Sequence, residues 1–256
     1  MRYIVVSDLD GTLLDHQTYD FTAAKRAIAL LIQREIPLVL NSSKTQAEIT
    51  TIRQQLDNQE PFVCENGGII CGLPQEQYLG IPRAEFLSQL ETIKRQLNLR
   101  YQGFGSATVA DVVRWTGLNP ESARQAMERC ATEPLWWQDT DEALELLRHE
   151  LDKVELQCVK GGRFYHVMGK FDKASCFPLL KAHYRKLWQE EVGIIALGDS
   201  PNDLPMLEQA DYSIVIPTAQ GNRLQPDHPN LYQATQSSPD GWQEGIDFAL
   251  QKLKIA

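Results

Sequence analysis

The stretch Val5-Val6-Ser7-Asp8-Leu9-Asp10-Gly11-Thr12 constrains this chain more than any other. Tyr3 to Val6 are β-branched or aromatic and give way at once to polar residues, which predicts a short buried strand with Asp8 at its carboxyl end. In open α/β sheets, ligands bind at that end of the strands. Two acids one residue apart repel each other wherever they are held close, and a divalent cation removes that cost while leaving a carboxylate oxygen free to attack. Magnesium (Mg2+) suits such a pair, because it takes a few carboxylates and completes its shell with water and substrate phosphate. An isolated DxD is more often a pair of ordinary strand-end and turn acids, so the remainder of the chain has to decide.

Bulk properties exclude more than they select. A chain of 256 residues holds one large domain or two modest ones, and 43% hydrophobic with 23% charged residues is ordinary globular composition. The net charge of -9 argues against nucleic acid or an anionic membrane as the main partner. An anionic substrate would need local neutralisation by a metal and a few placed Lys or Arg. Cys64, Cys71, Cys130, Cys158 and Cys176 have no CxxC spacing and read as small core residues in a reducing compartment. The N-terminal apolar run is broken by Asp8 and no run reaches membrane-spanning length, so a cytoplasmic protein is expected. The histidines lack HExxH or a paired spacing, which disfavours zinc.

The first seventy residues alternate strand and helix. Ala24, Ala27, Ile28, Leu31 and Ile32 recur at helical spacing before Pro37 and the strand Leu38-Val39-Leu40. Thr45 with Glu48 three residues on is a capping-box pattern, opening a helix with Ile49, Ile52 and Leu56 on one face. Phe62-Val63-Cys64 then runs into the turn Glu65-Asn66-Gly67-Gly68 and a returning strand Ile69-Ile70-Cys71. From about Pro82 the rhythm changes. A helix carries Phe86, Leu90, Ile93 and Leu97, another starts at Asn119-Pro120-Glu121, a third is capped by Asp141, and 154–159 with 163–168 form a hairpin around Gly161-Gly162. The α/β alternation returns after Gly169, with a helix over 174–188, a buried strand Ile194 to Leu197, Pro201 in the first turn of a helix, a strand over 212–216 and a closing helix over 241–253. The expectation is an α/β protein with a doubly wound, parallel-sheet, Rossmann-like core from 1–81 plus 169–256, and an inserted α+β unit at 82–168.

Transfer of a phosphoryl group needs a nucleophile, a metal, a fixed cation and hydrogen-bond donors. Four strand ends offer them: Asp8 and Asp10, Ser42, Lys173, and Asp199 with Asp203. DLDGT at 8–12 and GDSPND at 198–203, in this order with a hydroxyl and a lysine between them, resemble the signature of the haloacid dehalogenase-like hydrolases. The resemblance implies that Asp8 is the nucleophile forming an aspartyl-phosphate, which divides one hard displacement into two. It implies that Asp10 protonates the leaving oxygen and deprotonates the attacking water, and that Ser42 and Lys173 bind the phosphate. Ser43 can also fill the hydroxyl position, but Ser42 follows the strand directly; Lys170 rivals Lys173, which sits nearer the start of a helix. The metal-ligand set implied is Asp8, Asp10 and Asp199, with Asp203 as a further or water-mediated ligand. Thr12 and Asn202 would shape the loops around the substrate. The insertion lies where the family carries its larger α/β caps, whose closure excludes water.

Asn41-Ser42-Ser43-Lys44-Thr45, Glu65-Asn66-Gly67-Gly68 and Gly161-Gly162-Arg163-Phe164-Tyr165-His166 are more particular. They resemble the mannosyl-3-phosphoglycerate phosphatases, a subfamily that also includes enzymes acting on the glucosyl analogue. Most relatives have Thr-Gly-Arg where this chain has Ser42-Ser43-Lys44. The implied substrate is a small phosphorylated sugar-glycerate carrying a phosphate and a carboxylate. Arg163 and His166 are the candidates for the carboxylate, and Ser43, Lys44, Glu65, Asn66 and Gly67 complete the substrate-binding set; Glu65 and Asn66 could equally just shape their turn. A general sugar-phosphate phosphatase would have the same four motifs, and a phosphoacceptor signalling domain uses similar groups but has no insertion. Sequence reasoning selects neither the sugar nor the oligomeric state.

Overall fold

The computed structural model describes residues 1–218, 220–221 and 223–254. Chain order begins with β1 (Arg2–Ser7), α1 (Lys25–Gln33), β2 (Leu38–Asn41), α2 (Gln46–Gln55), β3 (Phe62–Cys64), β4 (Ile69–Cys71) and β5 (Gln77–Tyr78). The capping box at α2 is made in both directions: Glu48 N donates to Thr45 Oγ1 at 3.3 Å and Thr45 N donates to Glu48 Oε2 at 2.9 Å. Next come α3 (Arg83–Leu97), β6 (Tyr101–Gly103), α4 (Val109–Thr116), α5 (Pro120–Met127), β7 (Thr132–Trp137), α6 (Asp141–Asp152), β8 (Leu156–Lys160) and β9 (Tyr165–Gly169). The chain closes with α7 (Phe177–Trp188), β10 (Val192–Gly198), α8 (Leu204–Gln209), β11 (Tyr212–Val215), β12 (Leu231–Gln233) and α9 (Asp240–Lys252).

Eight strands form one sheet in the order β12-β11-β10-β1-β2-β3-β4-β5, in which all neighbours from β12 to β3 are parallel and β4 and β5 run antiparallel. Successive residues of β1 enter opposite layers: Val5 packs with one apolar cluster, Ile4 and Val6 with the other. Burial on both faces explains why β1 and β10 read as continuous apolar runs instead of alternating. The connections run from β1 outward to β2 and β3, then return to β10 on its other side, so the carboxyl ends of β10, β1, β2 and β3 meet where the winding direction reverses. The chain thus has the doubly wound α/β fold.

The inserted residues build a separate antiparallel sheet, β6-β7-β9-β8, over apolar clusters of their own. Strands β5, β6, β7 and β12 and helix α4 were not foreseen. β7 hides from pattern reading because it contains Pro134 and a buried Glu133, whose charge is answered by Arg83 Nε at 2.6 Å. β6 and β12 are only three residues long. Two helix starts differ from expectation. Thr140, not Asp141, caps α6, its hydroxyl accepting from Ala143 N at 3.2 Å. α7 begins at Phe177 because Asp172 Oδ1 captures the N–H groups of Ala174 and Ser175 in a turn.

Candidate active site

The loop after β1 is fixed from below and from the side. Ser7 Oγ donates to the Asp8 carbonyl at 2.7 Å and accepts from Trp242 Nε1 at 2.9 Å, so the fully buried indole of α9 pins the strand end. Gly11 has φ +82°, and a Cβ there would lie 2.7 Å from Asp199 Oδ2. Only glycine lets the first loop approach the end of β10 this closely. Thr12 Oγ1 then donates to Asp199 Oδ1 at 3.0 Å.

Asp8, Asp199 and Asp203 offer carboxylate oxygens within 4.8 Å of one another. Lys173 is buried among them, its Nζ 2.6 Å from Asp8 Oδ1 and 2.6 Å from Asp203 Oδ1. The other Asp203 oxygen accepts from Asp199 N, Ser200 N and Ser200 Oγ, so Asp203 is spent on holding Lys173 and the loop. Burial pushes Asp8 up to about 7 despite the adjacent lysine, with Asp203 and Asp10 adding to the rise. Burial, then Asp203 and Asp8, push Asp199 up to about 8. For Lys173 burial acts against the charge, but the two acids outweigh it and hold the ammonium above its ordinary value. One lysine is too little positive charge for three carboxylates, two of them buried and the third half-buried. A hard divalent cation suits this all-oxygen donor set, and Asp8 and Asp199 are the acids with capacity left for it.

Asp10 stands apart from that group. Leu9 is buried in the core, and the Asp10 Oδ2 pairs with Lys44 Nζ at 2.9 Å. The Asp10 carboxylate is therefore not grouped with those of Asp8, Asp199 and Asp203. Asp10 Oδ1 is buried without a partner. Lys44 is nearly buried beneath the Tyr19 ring, 4.8 Å from its centroid; burial opposes its charge, but Asp10 and Glu48 hold its pKa above the ordinary value. Ser42 is buried at the end of β2, with its hydroxyl accepting from Lys44 N at 3.3 Å, whereas Ser43 faces the inserted unit and gives its carbonyl to Arg129. Lys170 is exposed and paired with Asp152, far from the role considered for it.

The 65–68 turn serves the scaffold more than expected. Glu65 accepts from the N–H groups of Cys130, Ala131 and Thr132 and from the Thr132 hydroxyl, at 2.7–3.1 Å, which leaves its carboxylate no free side for a sugar hydroxyl. It ties the core to the middle of the inserted unit. A Cβ on Gly67 would fall 1.9 Å from the Asp172 carbonyl, so Gly67 allows the turn to seat the loop that carries Lys173. Asn66, at φ 61°, accepts from Asn202 Nδ2 at 3.1 Å and links this turn to the loop after β10.

A cavity of about 430 Å³ lies between the two units, in the size range of small-molecule sites. The core contributes Asp10, His16, Tyr19, Ser43 and Lys44; the inserted unit contributes Phe104, Arg129, Arg163, Phe164 and His166. Arg163 is exposed, and its Nη1 donates to the carbonyls of Trp115 and Thr116 at the end of α4. His166 is buried against Gly161, where a Cβ would come 2.8 Å from its Nε2, and its Nδ1 has no partner. Arg129 was not singled out from sequence; it follows a helix end and precedes the unforeseen strand β7, where periodicity carries no signal.

Burial, helped by the Arg129 charge, lowers the His166 pKa to about 3. Its folded value lies below the unfolded one, so its contribution to stability is present above about pH 6.5 and drains away as pH falls toward 3. His166→Leu removes this drain. Thermal melts of the two proteins should show the wild type losing on the order of 2–4 kcal/mol relative to the variant between pH 7 and pH 4. A constant difference across that range would mean that His166 is solvated or paired.

The sequence pattern of the haloacid dehalogenase-like hydrolases matches residues 5–109 and 138–225. Among solved structures, BT1666 of Bacteroides thetaiotaomicron, described among phosphatases of that superfamily, is 18% identical with a TM-score of 0.70, covering 100% of this chain and 96% of its own. BT4131, described as a subclass IIB sugar phosphatase, is 14% identical with a TM-score of 0.69 and full coverage of both chains. TM0651 of Thermotoga maritima is 18% identical with a TM-score of 0.67, covering 98% and 97%. At these identities the likeness speaks for the fold.

Proposed function

The chain belongs to the haloacid dehalogenase-like hydrolases, and we propose that within them it is a magnesium-dependent phosphatase that hydrolyses mannosyl- or glucosyl-3-phosphoglycerate to the glycosylglycerate and phosphate. The observation that carries the chemistry is Lys173, buried between Asp8 and Asp203 beside Asp199 at the switch point of the sheet. Asp8 attacks phosphorus, its carboxylate oxygen forming the new P–O bond as the bond to the leaving oxygen breaks. Asp10, on the cavity side of the loop, gives that oxygen its proton and later takes one from the water that releases phosphate. Lys173 neutralises the phosphoryl oxygens, with Ser42 donating to them. Asp8 and Asp199 would hold Mg2+, whose charge would balance the acids and the incoming phosphate. Residues 82–168 act as a cap that closes the cavity against water.

A general sugar-phosphate phosphatase fits the same cluster equally well. A phosphoacceptor signalling domain fits less well, since it has no use for a second unit enclosing a cavity. Phosphate release from both glycosyl-3-phosphoglycerates beside simple hexose phosphates decides between the two enzymes; preference for the hexose phosphates would replace the first reading by the second. Chelation with EDTA should remove turnover and added Mg2+ should restore it. Full activity after exhaustive chelation would contradict the assignment of Asp8 and Asp199. The net charge of -9 argues against nucleic acid, and among the described residues no helix is long and apolar enough to cross a membrane. A small-molecule substrate in the cytoplasm is the consistent setting.

A further inference from the structure

The cavity has a cationic corner that the chemistry at Asp8 does not use. The side chain of Arg129 is only 6% exposed, and it is held from several directions. Its Nε donates to the Ala126 carbonyl at 3.0 Å, and its Nη1 donates to the Ser43 carbonyl at 3.1 Å and to Thr132 Oγ1 at 2.8 Å. The Phe104 ring lies 5.8 Å from its Cζ. The nearest carboxylate, Glu65, is 4.0 Å away and already accepts three backbone N–H groups and a hydroxyl. That acid therefore answers the guanidinium charge only in part.

His166 opens on the same cavity with an unpartnered, buried Nδ1. A buried polar atom without a partner costs about 1–3 kcal/mol unless a ligand supplies one. We infer that Arg129 and His166 form a second anion subsite of the cavity, which takes the carboxylate of a substrate whose phosphate lies at Asp8. One partly balanced cation beside a neutral ring suits a monoanion, whereas a phosphate dianion would demand more charge. Nε and Nη1 of the guanidinium are spent on the protein, so Nη2 is the donor left for a carboxylate, and the Nδ1–H tautomer of His166 supplies a further one. Burial keeps the ring uncharged beside the arginine.

This moves recognition of the carboxylate from Arg163, which is exposed to solvent with its Nη1 on the carbonyls at the end of α4, to Arg129, which is buried beside His166. The assignment rests on the phosphatase reading, but its test separates the two. The probe is glucosylglycerate, which lacks phosphate and is titrated into the wild type by calorimetry. Binding should weaken by roughly 10–100-fold in Arg129→Lys, which loses the Nη2 donor, and in His166→Phe, which loses the nitrogen and keeps a ring. In turnover, the ratio of kcat/KM for glucosyl-3-phosphoglycerate over glucose 6-phosphate should fall by a similar factor in both variants. Thr45→Val removes the seam bond from Thr45 Oγ1 to the Gln125 carbonyl without touching the subsite and should leave that ratio in place. Binding that depends on Arg129 in a protein inactive on every phosphate ester would retire the phosphatase reading and keep the subsite. The subsite is overturned if the wild type does not bind glucosylglycerate, if Arg163→Met alone loses selectivity, or if Thr45→Val reproduces the loss seen in Arg129→Lys.

Discussion

Asp8→Asn should leave a folded protein whose multiple turnover is reduced on the order of 10⁴–10⁶-fold, the scale for removing a covalent nucleophile. The amide oxygen can still accept from Lys173, so the 2.6 Å contact has a successor, and the loop keeps Gly11, Thr12 and the Ser7 to Trp242 bonds that shape it. What disappears is the charged oxygen able to bond phosphorus, and with it one of the two acids open to a cation. The amide has the shape of the carboxyl and fits the same buried setting, so its cost in stability should be small. Phosphate release and thermal melts on the same preparation check both halves. Substantial turnover by a folded variant would remove Asp8 from the role.

The parts of this site readable in advance are those carried by strand ends. Asp8, Ser42 and Asp199 each follow an apolar run that could only be a buried parallel strand, and the order of those runs set the doubly wound sheet. Lys173 was legible through its neighbours, and its geometry removes Lys170, whose charge is answered by Asp152 on the surface. The failures have physical reasons. Spacing put Asp10 with Asp8, but the Asp10 carboxylate pairs with Lys44 from the loop after β2. Glu65 was read either as a sugar contact or as a turn former, and its partners, the N–H groups of 130–132, lie past the end of α5 and distant in sequence. Arg129 was missed for the same reason: its surroundings are assembled by the docking of one unit on the other, which no local window contains. Arg163 was conspicuous within a motif, yet the hairpin turns it toward the end of α4.

Lys173→Met should destabilise the protein by about 3–5 kcal/mol and abolish turnover, because the loss of one partner strands a buried charge. The Lys173 side chain is fully buried, and its two acids are 7% and 0% exposed, so water cannot replace the ammonium without opening the loop. Asp203 suffers more than Asp8. Its second oxygen is committed to the backbone of 199 and 200, so it cannot turn outward, and a displaced Asp203 would release the loop that carries Asp199. Neutralising that acid as well tests the mechanism. Lys173→Met/Asp203→Asn should recover at least about 1 kcal/mol relative to the sum of the two single losses, the coupling expected of residues in direct contact. It should recover no activity, since a Met cannot neutralise phosphoryl oxygens. Urea unfolding of the four proteins gives the coupling directly. If the single variant lost less than about 1 kcal/mol, or the double variant showed no coupling, the buried ion network would not be what holds the ends of β1 and β10 together. Lys173 would then be a phosphate ligand alone, and the loops would owe their positions to Gly11, Gly67 and Trp242.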